Sequence, residues 1–137
     1  MPQRRDRMTP SQRSYCMSRV RSRNTSLEVL VEEELRRRKL VFKCHVKDLP
    51  GRPDFVFTRN HVAVFVDGDF WHGWRYPTWE HKLSPSWREK ITGNRRRDQK
   101  NFRKLRRMGW VVIRLWEHTI KNDFLASISR IQSSLLR

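Results

Sequence analysis

Asp54, Asp67, Asp69 and His72 crowd into one short stretch, LPGRPDFVFTRNHVAVFVDGDFWH, residues 49–72. Hydrolysis of a phosphodiester needs an activated water, neutralised charge on the phosphoryl oxygens and help for the leaving oxygen. Magnesium supplies much of this. It takes hard oxygen ligands, usually one or two carboxylates, and keeps positions for water and a substrate phosphate. A pair of carboxylates with an imidazole beside them meets that demand. Asp54 and Asp67 are the expected Mg2+ ligands, with the backbone carbonyl of Val66 completing the sphere and Mn2+ an expected substitute ion. His72 is expected as general base or acid. Asp69 lies in the turn-like Asp67-Gly68-Asp69 and reads as structural. Glu28 has two readings. It fits a capping box, Thr25-Ser26-Leu27-Glu28, and it can position a catalytic water if its helix packs against the strand ends.

These side chains need elements to carry them. Asp54–Thr58 and His61–Val66 are apolar β-type runs joined tightly through Arg59 and Asn60. In an antiparallel pair the start of one strand lies beside the end of the next, so Asp54 and Asp67 are expected to converge. Val62–Val66 is apolar on both faces and therefore reads as central. An earlier strand is expected over 40–46, and a fourth over 110–116, WVVIRLW. Helices are expected over 26–39, 86–108 and 122–136. The first carries Leu27, Leu30, Val31 and Leu35 as an apolar stripe, and the last carries Phe124, Ile128, Ile131 and Leu135. Residues 70–87 hold no period, and Gly73, Pro77 and Pro85 mark them as an ordered loop. The order is helix, three strands in a meander, helix, strand, helix. A helix between the third and fourth strands permits a parallel crossover, which gives an α/β fold with a mixed four-stranded sheet and flanking helices.

The chain of 137 residues suits one domain. Its net charge of +17 speaks to partners rather than fold, and nucleic acid leads with an anionic membrane second. Residues 1–23, rich in Arg and including Arg19, Arg21 and Arg23, read as a basic arm that clamps phosphates, with a single domain over 24–137. Arg95, Arg96, Arg97 and Lys100 load one helix with a single sign of charge, and that helix is expected to meet phosphates too. Phe70, Trp71, Trp74, Tyr76, Trp79 and Trp87 lie interleaved with Arg75, Lys82 and Arg88. Aromatic wedges and base-stacking rings are devices of nucleic-acid binders, and Phe70 and Trp71 are the expected inserters. Trp110 and Trp116 are expected in the core. No apolar run approaches the roughly 18 residues of a spanning helix. The N-terminus, MPQRRDRM, lacks the apolar core of a signal peptide, so the expected location is cytoplasmic and nucleoid-associated. Cys16 and Cys44 read as ordinary reduced thiols.

The segments SRVRSRNTSLE (18–28), LPGRPDFVF (49–57), VFVDGDFWHG (64–73), WREKITGNRRRDQKN (87–101) and MGWVVIRLWEH (108–118) resemble the very short patch repair (Vsr) DNA mismatch endonucleases, in collinear order over about residues 16–118. The resemblance implies a restriction-endonuclease-like core of the PD-(D/E)xK type. It also implies magnesium-dependent nicking beside the T of a T·G mismatch, leaving a 5′ phosphate. The family's metal-binding Asp falls on Asp54, its catalytic His on His72 and its helix-one Glu on Glu28. Its wedge aromatics fall on Phe70, Trp71 and Trp87. Well-known members carry a His where this chain has Asp67, which implies a direct carboxylate ligand here. They also hold a structural zinc through Cys and His, at places occupied here by Asp69, Trp74, Tyr76 and His118. That is not a zinc set, and no zinc is expected; packing of Trp74 and Tyr76 is expected instead.

The functional expectation is an Mg2+-dependent endonuclease acting as a monomer on double-stranded DNA. Two alternatives stand beside it. One is a site- or structure-specific nicking endonuclease, of mobile-element or defence type, with no mismatch requirement. The other is a DNA-binding module without catalysis.

Overall fold

The structure, a computed structural model, describes residues 25–136. The basic arm, with Arg19, Arg21 and Arg23, lies outside the described residues. The elements run α1 (Thr25–Arg37), β1 (Lys43–Cys44), β2 (Phe55–Phe57), β3 (Val62–Asp67), α2 (Tyr76–Trp79), a 3-10 turn (Glu80–Lys82), α3 (Pro85–Arg107), β4 (Val111–Trp116), α4 (Glu117–Asn122) and α5 (Phe124–Ser134). The sheet order is β1-β2-β3-β4. Strands β1, β2 and β3 are antiparallel neighbours, and β4 lies parallel to β3 after the α3 crossover. This is the mixed four-stranded α/β sheet that the sequence order implies.

Every residue of β3 is buried because both faces of the strand are covered. Val62, Val64 and Val66 pack with Leu27, Val31 and Leu35 of α1 and with Ile128 and Ile131 of α5. Ala63 and Phe65 point the other way, against Phe102 and Leu105 of α3. The alternation of a strand converts one apolar run into two core faces. On α1 the buried stripe is Leu27, Val31 and Leu35, at spacings of four. Leu30 falls off that stripe and is 50% exposed.

Four local departures from the sequence reading have physical causes. Strand β1 is only Lys43–Cys44, because His45 takes a left-handed φ of 52° and ends the extended run. Residues 76–82 are helical rather than irregular: Pro77 sits in the first turn of α2, where a missing N–H costs nothing. Pro85 opens α3 in the same way. The expected C-terminal helix stands as α5, but a short helix not expected from the sequence, α4, precedes it; Asp123, whose φ of −150° is not helical, separates the two and its carboxylate accepts the Ala126 N–H as the N-cap of α5. Among the described residues no helix is long and apolar enough to cross a membrane.

Candidate active site

Asp54 stands at the head of β2 and is fully buried. Its backbone is locked on both sides: the N–H donates to the Val64 carbonyl at 2.9 Å, and the carbonyl accepts the His45 N–H at 3.1 Å. Its Oδ2 accepts the Val66 N–H at 2.7 Å. In β3 the odd-numbered backbone groups serve β4, as when Val111 N–H donates to the His61 carbonyl; the even-numbered ones serve β2. The Val66 carbonyl therefore points to the same side as its N–H, toward Asp54. Glu28 and His45 close on this carboxylate, and one donor atom of each of the three lies within 4.8 Å of the others. His45 Nε2 is 3.9 Å from Glu28 Oε2.

Asp67 ends β3 and belongs to a different group. Asp67, His72 and Asp98 form a second set of donor atoms within 4.8 Å of one another. Among the described residues no such set of three contains both Asp54 and Asp67; each carboxylate has its own pair of neighbours. Asp67 Oδ1 is 3.5 Å from His72 Nε2, and Asp98 Oδ2 is 2.6 Å from His72 Nδ1. Arg114 joins the two acids. Its Nε donates to Asp67 Oδ2 and its Nη2 to Asp98 Oδ2, each at 2.7 Å. The guanidinium lies over the Trp116 ring at 4.0 Å and the Phe102 ring at 5.1 Å.

A run of turns carries His72 back under the sheet end. His72 N–H donates to the Gly68 carbonyl, Gly73 N–H to Phe70 and Trp74 N–H to Asp69. Gly73 has φ 70°, and a Cβ there would meet Arg95 Cδ at 2.7 Å and Ile91 Cγ2 at 3.0 Å. The close pass of α3 leaves no room for a side chain at this turn, and that pass is what delivers Asp98 to His72.

On the outer side of the same loop the rings of Phe70, Trp71, Trp79 and Trp87 gather with centroids 5.5 Å apart, Phe70 stacked on Trp79. Phe70 and Trp87 are each 40% exposed. Lys90 Nζ lies 4.9 Å from the Trp71 ring. Along α3, Arg96, Arg97 and Lys100 are exposed, whereas Arg95 is half-buried over the Tyr76 ring. Trp110 and Trp116 are half-buried at the sheet margin rather than inside it.

The four positions compared with zinc ligands are partly gathered. Asp69 Oδ1 lies 2.9 Å from His118 Nδ1, and the Trp74 ring packs on His118 at 3.9 Å. Tyr76 turns away and donates its hydroxyl to the Arg88 carbonyl. Asp69 thus ties the loop to α4, a structural task.

Sequence reasoning missed His45, Asp98 and Arg114. Two of them left a signal. Arg114 interrupts the apolar strand WVVIRLW, and a cation in a covered strand calls for a buried acid. Asp98 is the lone acid in NRRRDQKNFRKLRR. His45 left none, because only the fold brings it to Asp54.

The family model for "DNA mismatch endonuclease Vsr" matches residues 5–78, more than half of the chain. The Type II nicking enzyme V.XorIIP of Xanthomonas oryzae is 40% identical over 132 residues, covering 95% of this chain and 96% of that one. The Type II nicking enzyme V.NmeDIP of Neisseria meningitidis serogroup C is 33% identical over 95% of this chain and 90% of its own length. The DNA mismatch endonuclease Vsr of Escherichia coli is 32% identical over 80% of this chain and 71% of its own. The collinear motifs, the mixed sheet with its α3 crossover and these alignments agree: the chain belongs to the Vsr DNA mismatch endonuclease family, and its sheet is a restriction-endonuclease-like core.

Proposed function

We propose that this DNA endonuclease is magnesium-dependent and nicks one strand of duplex DNA beside the T of a T·G mismatch. The observation that carries the reading is the fully buried Asp54 carboxylate, fixed by the Val66 N–H and flanked by Glu28 and His45. The set is rich in hard oxygen, which fits Mg2+. Asp54 and the Val66 carbonyl would hold the ion, with Glu28 placed to orient water. Bound magnesium supplies positive charge against the phosphoryl oxygens and lowers the pKa of a water.

The proton belongs to His72. Asp98, 2.6 Å from Nδ1, accepts the Nδ1–H and leaves Nε2 as the acceptor. Nε2 makes no hydrogen bond among the described residues, with Asp67 Oδ1 at 3.5 Å, so it is available to a water or a leaving oxygen. Phe70, Trp71 and Trp87 form a half-exposed aromatic face beside this centre, suited to entering a base step. The exposed cations of α3 hold the backbone phosphates.

A second reading, nicking without a mismatch requirement, is favoured by one observation: the relatives aligned nearly end to end are named Type II nicking enzymes. The test is a panel of strand-labelled duplexes of one sequence, either matched or carrying single mismatches, incubated with Mg2+ or EDTA. Selective cutting beside the T of T·G, lost in EDTA, is the expected result. Equal cutting of the matched duplex would select the second reading. No cutting of any duplex would overturn both.

A further inference from the structure

We infer that Arg114 is a built-in cation of the active site: its guanidinium bridges Asp67 and Asp98, occupies the place of a second metal ion and positions His72 between them. The inference deepens the proposed nuclease reading and rests on it for the identity of the reaction.

The second donor set has the make-up of a metal site, with two carboxylates and an imidazole. Asp67 is 1% exposed and Asp98 14% by side chain. Two carboxylates this covered, both beside one imidazole, need positive charge between them. Arg114 delivers it through two charge-assisted bonds of 2.7 Å, one to each acid. The planar fork suits this task because its donors diverge in one plane and its charge is permanent. Trp116 and Phe102 hold the plane in place. Arg114 and Asp67 reach one another because Arg114 pairs in register with Phe65 on the parallel strand, so both residues project from the face that meets α3. A divalent ion entering here would meet a fixed positive charge and would have to displace both bonds. The Asp54 set is left as the seat of the single ion.

Arg114 is therefore a positioning residue. It fixes the carboxylates on either side of His72. The test is calorimetric titration of the full-length chain with Mn2+, run on the wild type, Arg114→Met, Arg114→Lys and Asp54→Asn, each checked by circular dichroism. The wild type is expected to bind one equivalent. Arg114→Met is expected to gain a second, because the vacated acids now attract an ion. Asp54→Asn is expected to lose the only one. In single-turnover nicking, Arg114→Met should lose about 10- to 100-fold in cleavage rate while DNA affinity holds, the loss usual for a supporting partner. Arg114→Lys should recover part of it, since a point charge satisfies one acid but not both.

One Mn2+ equivalent retained by Asp54→Asn would overturn the inference, and that outcome does not require Arg114→Met to fold. No gain of an ion by folded Arg114→Met would overturn it as well. A wild type that binds no ion, with Arg114→Met binding one, would sink the Asp54 metal reading and leave the role of Arg114 standing.

Discussion

Asp98 and His72 act as a pair, and the pair makes a sharp demand on substitution. Asp98→Asn keeps the shape but removes the charge that holds Nδ1–H, so cleavage is expected to fall about 10- to 100-fold in single-turnover assays with DNA binding unchanged. Cys44 offers a test of burial independent of the chemistry. Burial pushes its thiol up from 9.0 to about 12, with the negative charge of Glu32 adding to the effect. The folded state therefore favours the neutral thiol. Its contribution to stability is full below pH 9 and is lost as pH rises toward 12. In a Cys16→Ser background, alkylation at pH 8 should be slow in the folded protein and fast in urea; equal rates would show that Cys44 is not enclosed. At this scale the sequence was legible where a residue's type broke its local pattern. Asp54 after Pro53 at the head of an apolar run, and His72 beside acids, stood out. The split of Asp54 and Asp67 into two groups was not legible. Strand pairing fixes which strand ends meet, but not which neighbours, Glu28 and His45 or Asp98 and Arg114, claim each carboxylate.

The elements were legible in proportion to their periodicity. Helix α1, strand β3, helix α3 and strand β4 carry long regular patterns and appear within about two residues of the expected bounds. The helical turns at 76–82 and the six-residue α4 are too short to show a period, and the boundary between α4 and α5 depends on one capping residue, Asp123. Strand β3 carries the fold, since both of its faces are core. Phe65→Ala would open a cavity against Phe102, 4.9 Å away, and should cost about 3–5 kcal/mol in urea denaturation. A loss under 1 kcal/mol would mean that the α3 face of the sheet is loosely packed. Helix α3 has two faces. Ile91, Phe102 and Leu105 bury one, while Arg96, Arg97 and Lys100 present the other to solvent. Changing any one of these three cations to Gln should weaken binding to matched and mismatched duplexes alike and reduce the salt slope by about 1. An unchanged slope would remove that side chain from the DNA contact.

Across the whole molecule, charge and architecture divide the work. A net charge of +17 favours attraction to any duplex, and the proposed chemistry is placed at the sheet end. The loop from Gly68 to Trp79 links them, placing His72 inward and the Phe70, Trp71 and Trp79 rings outward, where Trp87 of α3 meets them. That loop is braced by Asp69, His118 and Trp74, and purified protein is expected to hold no stoichiometric zinc by elemental analysis. One zinc per chain would reassign that brace as a metal site. The most direct measurement compares wild type with Asp54→Asn on a labelled T·G duplex in Mg2+, with DNA binding measured in parallel. The expected result is a single-strand cut by wild type and binding without cutting by Asp54→Asn. Undiminished cutting by Asp54→Asn would contradict the placement of the reaction at the head of β2.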